Sequence, residues 1–251
     1  MGRPKSSNRI VQCLWIGSKL STIERLSLQS FITNGHTLHL YTYTDITGVP
    51  QEAVVKDASE IIPADKLFLD DRGTVASFAD WFRYKLLYEK GGWWIDTDAI
   101  CLRYFNVRSQ YCFSTEWRYQ DRQAYMVNNG FIKSPPGAPF LADLLGYIES
   151  QSHAHVRWGD FGPRLITDVL RNYDSGRYIC EPDRFCPVNW DEMHKLINGA
   201  EITLRDDCYA IHLWNDMWKR YNLNKDGNYH PESIFEKLKQ KYLGPGYHEL
   251  P

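Results

Sequence analysis

The feature that most constrains the fold of this chain is a helix–turn–strand pattern over residues 74–98. Apolar side chains recur at helical spacing in Thr74–Lys90 and predict one long amphipathic helix; they are Val75, Phe78, Ala79, Phe82 and Leu86. Gly91-Gly92 can end this helix, because glycine readily adopts the backbone conformation of a helix C-cap. Trp93–Ile95 then predicts a short buried strand, and Asp96-Thr97-Asp98 follows at its carboxyl end.

The N-terminal part of the chain predicts the type of sheet that receives this strand. Arg9–Ile16 is an apolar run that indicates a buried first strand, and Thr37–Tyr43 alternates as a second strand should. Between them a helix can begin near Ser21 and end before Asn34-Gly35. A strand–helix–strand unit implies parallel strands and therefore an α/β fold. Ligands of such sheets bind beyond the carboxyl ends of strands, which is where Asp96–Asp98 lies.

The second half of the chain gives weaker patterns. Strands are predicted at Tyr111–Thr115, Phe131–Lys133 and Tyr209–Trp214, and helices at Pro139–Glu149, Pro163–Asn172 and Ser233–Tyr242. No repeat or linker interrupts the sequence. We therefore expect residues 1–8 to be a frayed terminus and residues 9–251 to form a single domain.

Composition narrows the classes of function. The formal net charge of −2 argues against a general nucleic-acid binder, which needs a basic surface. The six cysteines contain no C-x-x-C pair, which removes the common zinc and thioredoxin motifs. No N-terminal stretch reads as a signal peptide, and no segment is long and apolar enough to span a bilayer. We therefore expect a reducing, cytoplasmic setting.

Asp96 and Asp98 are the first candidate ligands. Their oxygens are hard donors that suit Mg²⁺ or Mn²⁺, ions that usually join one or two carboxylates to substrate phosphates. A bare Asp-x-Asp also arises by chance, and a solvated turn is the alternative. The preceding helix places Ser77, Asp80 and Arg83 on one strip, because they are spaced three residues apart. Asp80 could accept hydrogen bonds from sugar hydroxyls and Arg83 could pair with a phosphate, the alternative being an ordinary surface ion pair.

The run from Ser77 to Asp98 closely resembles a known signature. Read as S-F-A-D-W-F-R-Y-K-L-L-Y-E-K-G-G-W-W-I-D-T-D, it is similar to the A-D-x-x-R-Y-x-x-L-Y-x-x-G-G-x-Y-x-D-x-D pattern of glycosyltransferases with a sugar-binding DxD motif. These family-32-like enzymes have relatives among yeast mannosyltransferases, globotriaosylceramide-type galactosyltransferases and glucosylating clostridial toxins. Trp94 stands where the family often has tyrosine.

The resemblance reaches from about residue 10 to about residue 220. Other segments similar to family elements are Leu14–Gly17, Leu40–Tyr43, Asn128–Gly130, Gly162-Pro163, and Ile211–Trp214 with Trp218. The last of these matches an H-x-W-x-x-S-W element, in which Met217 replaces the usual serine. The phosphate contact of that serine hydroxyl is therefore not expected here.

The resemblance implies a fold and a set of site residues. The fold is a GT-A-type nucleotide-diphospho-sugar transferase, with a mixed, mostly parallel sheet flanked by helices. Its nucleotide-binding part would span about residues 9–105 and its acceptor-side part about residues 106–251. The implied catalytic residues are Asp80, Arg83 and Asp98, and the implied metal ligands are Asp96, Asp98 and His212. The implied donor-binding residues are Leu14, Trp15, Ile16, Tyr43, Ser77, Asp80, Arg83, Asp96, Thr97, Asn129 and Trp218.

Two of these features have plainer alternatives. A lone histidine in an apolar strand, such as His212, is often an ordinary core residue, although an imidazole can also complete a metal shell beside carboxylates. Lys237, Lys239 and Lys241 give the last predicted helix a mildly basic face. That face could contact an anionic membrane or could simply be solvated.

We therefore expect a metal-dependent, retaining hexosyltransferase that uses Mn²⁺ or Mg²⁺. It would move a sugar from a nucleoside diphosphate donor, a UDP-sugar, to a hydroxyl of a glycan or lipid-linked acceptor, as in surface polysaccharide synthesis. It would work in the cytoplasm, with contact at the inner face of the membrane left open.

One alternative is a haloacid-dehalogenase-type phosphatase, although that family places its D-x-D in the first strand–helix unit. The other is a catalytically inactive sugar-binding protein.

Overall fold

The computed structural model describes residues 7–118 and 121–244, without the side chains of residues 121–124. Most of the predicted elements are confirmed, with bounds that differ by a few residues. The exception is the strand predicted at Phe131–Lys133, which spans Asp121–Ser134. In chain order the main elements are β1 (Ile10–Trp15), α1 (Thr22–Thr33), β2 (Thr37–Thr42), β3 (Val54–Asp57), α2 (Ala76–Lys90), β4 (Gly92–Ile95), β5 (Ala99–Cys101), β6 (Cys112–Arg118), β7 (Asp121–Ser134), α3 (Pro139–Ser150), α4 (Pro163–Leu170), β8 (Ala210–His212), α5 (Asn215–Arg220) and α6 (Ile234–Leu243).

The central sheet has six strands in the order β3-β2-β1-β4-β7-β6. Strands β3, β2, β1 and β4 run parallel to one another, whereas β7 is antiparallel to both β4 and β6. The sheet is therefore mixed and mostly parallel. The predicted α/β class is confirmed, and β4, which leads into Asp96–Asp98, lies in the middle of the sheet.

Helices cover both faces of this sheet. Side chains of β4 divide between two cores, because successive residues of a strand point to opposite faces. Trp93 and Ile95 pack in the core that contains α1 and α6, and Trp94 packs in the core that contains α2, α3 and α4. The apolar stripe predicted for α2 accounts for this second core, since Phe78 and Phe82 are both fully buried there.

A second sheet has two strands, and it joins the segment after β4 to the C-terminal part of the chain. Strands β5 and β8 are antiparallel, with Ala99 paired to His212 and Cys101 paired to Ala210. Because β5 follows Asp98 directly, this pairing carries the end of β8 to the carboxyl end of β4. The sequence does not predict β5, which is only three residues long.

Two further differences from the sequence prediction have simple physical causes. The edge strand β3 is not predicted, because three of its four residues are exposed and no apolar face marks it. Asn8 lies in the segment expected to fray, yet its Nδ2 donates to the Val107 carbonyl over 2.9 Å and its Oδ1 accepts from Lys133 Nζ over 2.6 Å. Fraying is therefore wrong for Asn8, and residues 1–6 lie outside the described part.

Gly91, at the turn between α2 and β4, is required for a close approach. Its φ is +64°, a conformation that side chains with a Cβ rarely adopt. A Cβ there would lie 2.6 Å from Pro136 Cδ and 3.0 Å from the Ser134 carbonyl oxygen. The turn that aims β4 at the site therefore depends on both the conformation and the small size of this residue.

We predict that Gly91→Ala lowers the free energy of unfolding by about 2–5 kcal/mol, because the strain of a positive φ and overpacking add. Gly137→Ala is a matched control, since Gly137 has a φ of +65° and nothing within 4 Å of the added Cβ. It should cost only about 1–2 kcal/mol. Urea unfolding of both variants measures the difference, and equal losses would contradict the steric part of the argument.

Candidate active site

Two carboxylates and one imidazole converge beyond the end of β4. His212 Nε2 lies 3.2 Å from Asp98 Oδ1 and 4.0 Å from Asp96 Oδ2. One candidate ligand atom from each of these residues lies within 4.8 Å of the other two. The pairing of β5 with β8 explains this proximity across 114 residues of sequence. The structure thus brings together the three residues that the sequence predicts as metal ligands.

Each carboxylate is held in place through its other oxygen. Trp94 Nε1 donates to Asp96 Oδ1 over 2.8 Å, and the Asn215 backbone N–H donates to Asp98 Oδ2 over 2.6 Å. The oxygens nearest His212 are therefore Asp96 Oδ2 and Asp98 Oδ1. Two carboxylate oxygens and one imidazole nitrogen form a donor set that fits Mn²⁺ or Mg²⁺.

The charges of this group suit a cation. Burial raises the pKa of Asp98, but the charge and hydrogen bond of His212 and the Asn215 N–H lower it to about 2. Burial lowers the pKa of His212, and the neighbouring Asp98 outweighs this and raises it well above its ordinary value. Asp98 is therefore an anion at neutral pH. A bound cation would replace the proton on His212, since a metal needs the neutral imidazole nitrogen.

A buried arginine joins the predicted helix strip to the carboxylates. Arg83 Nη2 lies 3.2 Å from Asp80 Oδ1 and 3.2 Å from Asp96 Oδ1, and Nη1 donates to the Asn129 carbonyl over 2.6 Å. Ser77 is fully buried on the same strip. Because the side chains of Arg83 and Asp80 are only 7% and 10% exposed, the alternative of a solvated surface pair is wrong.

The segment Asn128–Gly130 of β7 lies beside Asp80 and Asp96. Asn128 Oδ1 accepts from the Gly130 N–H over 2.7 Å, and the Gly130 carbonyl accepts from the Asp96 N–H over 2.9 Å. A Cβ on Gly130 would lie 3.0 Å from Asp96 Oδ2, so only glycine leaves room beside that oxygen. Asn129 Nδ2 donates to Asp80 Oδ1 over 2.8 Å. The predicted donor-side residue Asn129 is therefore next to Asp80.

The sequence analysis does not identify Glu116, which supports this segment from β6. Glu116 Oε2 accepts from Asn128 Nδ2 over 2.5 Å, and burial raises the pKa of Glu116. A carboxylate directly after the predicted strand Tyr111–Thr115 and before Trp117 is a weak signal that could have identified it, because acidic residues are rarely buried without a partner.

The sequence analysis also does not identify Asn215, whose backbone N–H donates to Asp98. The strained residue before it, Trp214, sets the direction of that N–H. Trp214 has a φ of +59°, which is uncommon for a bulky side chain. Its Nε1 donates to the Val188 carbonyl over 2.8 Å, and its ring centroid lies 4.0 Å from that of His212. The turn at Trp214 directs the Asn215 N–H to Asp98.

Three residues predicted to bind the donor have side chains that pack or hydrogen-bond within the fold. Leu14 packs in the core beside α2, and Trp218 is fully buried with its Nε1 donating to the Leu213 carbonyl over 2.8 Å. Tyr43 donates its hydroxyl to the Ile62 carbonyl over 2.8 Å. Their side chains therefore support the fold in this structure and are not placed among the carboxylates.

The remaining predicted residues lie at strand ends near the site. Thr97 is half-buried between the two aspartates, and Ile16 packs against the core beside α2. Trp15 ends β1, and its Nε1 is buried without a hydrogen-bond partner among the described residues. A buried indole N–H usually has a partner. The donor contact implied for Trp15 stays a prediction.

We predict a pH dependence from Asp80. Burial raises its pKa from 3.8 to about 6, against the opposing effect of Arg83. Between those values the folded state binds more protons than the unfolded state, so stability from this group falls as pH rises from about 4 to about 6. Asp80→Asn should remove that decline. Urea unfolding in chelator across this range measures it, and parallel curves for the two proteins would refute the assignment.

Comparisons with known proteins agree with this geometry. Residues 42–114 match the glycosyltransferase sugar-binding region containing the DXD motif, and residues 134–242 match the alpha 1,4-glycosyltransferase conserved region. No curated protein matches the chain.

Several solved structures are similar to parts of this one. The PaToxG glycosyltransferase is 15% identical with a TM-score of 0.48, covering 69% of this chain and 73% of that one. The ligand-free glycosyltransferase domain from the YGT toxin is 9% identical with a TM-score of 0.49, covering 72% and 80%. The UDP-bound form of that domain has 9% identity and a TM-score of 0.47, covering 69% and 79%.

The two matched regions meet at the site. The first contains α2, β4 and the carboxylates of Asp96 and Asp98, and the second contains β8 with His212, and α5. Because both matched regions are glycosyltransferase regions and their key residues converge within one cluster, this chain is a glycosyltransferase.

Proposed function

We propose that the protein transfers a sugar from a UDP-sugar to a hydroxyl of a glycan or lipid-linked acceptor, with a divalent cation at Asp96, Asp98 and His212. The observation that carries this proposal is the convergence of Asp96 Oδ2, Asp98 Oδ1 and His212 Nε2. A bound Mn²⁺ or Mg²⁺ would supply Lewis-acid stabilisation of the diphosphate leaving group. Uridine is the nucleotide that the family resemblance implies.

Asp80 and Arg83 would position the donor sugar. Asp80 Oδ1 is already shared by Arg83 and Asn129, so Oδ2 is the oxygen suited to a sugar hydroxyl. Arg83 Nε is buried and has no partner among the described residues. This pair lies beside Asp96, so a sugar bound there would be adjacent to a diphosphate at the metal ligands.

We further propose that transfer retains the anomeric configuration by front-face displacement. In this reaction the acceptor oxygen bonds to the anomeric carbon on the face from which the diphosphate leaves, and the acceptor proton passes to the departing phosphate. A covalent nucleophile is the other route to retention. We favour front-face displacement, because no residue of the chain can be assigned as a covalent nucleophile from the sequence.

The other hypotheses are less well supported. A haloacid-dehalogenase-type phosphatase does not fit a site at β4 of a chain that matches glycosyltransferase regions. The hypothesis of a catalytically inactive sugar-binding protein is tested by measuring donor turnover.

The cellular setting remains our proposal. No helix of the described residues is long and apolar enough to cross a membrane. Lys239 is fully buried and pairs with Glu236, so it does not contribute to the predicted basic face of α6, whereas Lys237 and Lys241 are exposed. Contact of this face with a membrane stays a prediction. We propose a reducing, cytoplasmic location, supported by the burial of five of the six cysteines, where a cysteine behaves as a small hydrophobic residue.

We predict that Asp98→Asn abolishes metal-dependent UDP binding and lowers UDP release from a UDP-sugar by about 100-fold or more, because an essential anionic ligand is lost. A panel of nucleotide-sugars with Mn²⁺ identifies the donor, and calorimetry of UDP with and without Mn²⁺ measures binding. Asp168→Asn, at an exposed site on α4, is the control. Unchanged metal-dependent UDP binding in Asp98→Asn would refute the proposed metal site.

We predict that Arg83→Lys lowers donor turnover by about 10- to 100-fold although the charge is kept, because an ammonium group cannot reproduce the guanidinium contacts with Asp80, Asp96 and Asn129. Arg164→Lys, on the exposed side of α4, is the matched control and should retain full turnover. The measurement is UDP release at saturating Mn²⁺. Wild-type turnover in Arg83→Lys would exclude an orienting role.

A further inference from the structure

Two cysteines outside the proposed metal site are in direct contact. Cys112 begins β6, and its Sγ lies 3.1 Å from Cys180 Sγ. The backbone around them is fixed: the Cys180 N–H donates to the Phe113 carbonyl over 2.8 Å, and Thr115 Oγ1 donates to the Cys180 carbonyl over 2.6 Å. Two sulfurs held this close need only a small further approach to reach bonding distance.

The two thiols differ in reactivity. Cys180 is partly exposed, and the hydrogen bond from Cys112, together with the charge of Arg184, lowers its pKa. Cys112 is buried, and its hydrogen bond to Cys180 and its burial raise its pKa. Thiolates are the nucleophiles in disulfide exchange, so Cys180 is the thiol that an external disulfide would meet first. In the other four cysteines burial raises the pKa; they are Cys13, Cys101, Cys186 and Cys208.

We propose that Cys112 and Cys180 form a dithiol–disulfide site that oxidises by exchange with a small-molecule disulfide. The Cys180 thiolate attacks one sulfur of that disulfide, forming a mixed disulfide and releasing one thiolate. Cys112, after losing its proton to solvent or to that thiolate, attacks Cys180 Sγ and displaces the second thiolate. In sum, two protein thiols lose two protons and two electrons, and one small disulfide takes them up and becomes two thiols.

The bond would join two elements that reach the proposed active site. Strand β6 carries Ser114 and Glu116, which both hydrogen-bond to Asn128. The segment that begins at Cys180 continues to Cys186, beside His212. Closing this cross-link restricts the unfolded chain, so the oxidised protein should be the more stable form. The proposal does not depend on donor turnover.

The test uses the full chain equilibrated with glutathione and its disulfide, compared with the dithiothreitol-reduced protein. Two of the six thiols should become unreactive to a thiol reagent under denaturing conditions. Peptide mapping should show the Cys112 peptide joined to the Cys180 peptide. The melting temperature should rise by roughly 5–10 °C, as expected for closing a loop of this size in a chain of this length.

Two serine variants provide the controls. Cys180→Ser should prevent both the cross-link and the rise in melting temperature, and Cys208→Ser should allow both. The mapping of the wild-type protein requires no variant, so misfolding of Cys180→Ser would not remove the test. Retention of all six thiols, a mixed disulfide that stops at Cys180, or a cross-link between other cysteines would each overturn the proposal.

Discussion

The buried guanidinium of Arg83 is the interaction on which the rest of the site depends. It contacts Asp80 on its own helix, Asp96 after β4 and the backbone of Asn129 in β7. A buried cation is costly unless it is paired and hydrogen-bonded, so these three elements can pack together only in the arrangement that satisfies it. The same contacts determine how far the carboxylate of Asp80 lies from the carboxylates of Asp96 and Asp98.

The site also separates the oxygens that hold the structure from those that can hold a ligand. Trp94 and the Asn215 backbone each occupy one carboxylate oxygen, and the second oxygen of each residue faces His212. This arrangement explains why tryptophan can stand where the family signature has tyrosine, since its indole N–H donates to Asp96. It also explains the strained backbone of Trp214, which directs the Asn215 N–H.

Much of the first half of the fold could be predicted because its signals are local. The helical stripe of α2, the glycine turn and the apolar β4 are each recognisable within a few residues. The edge strand β3 could not be predicted, because its exposed residues leave no alternation. The resemblance implies donor contacts for Leu14, Tyr43 and Trp218, and these contacts stay predictions. In the structure the three side chains pack or hydrogen-bond within the fold, which a sequence match does not specify.

The sequence by itself determined the α/β class, the position of Asp96–Asp98 at a strand end, and the strip of Asp80 and Arg83, because periodicity and spacing record local geometry. The resemblance to a family singled out His212. Only the tertiary structure decided that His212 reaches Asp98, that Glu116 supports Asn128, and that Cys112 meets Cys180. These contacts depend on the pairing of strands and on packing between segments distant in sequence, and no local pattern encodes that register.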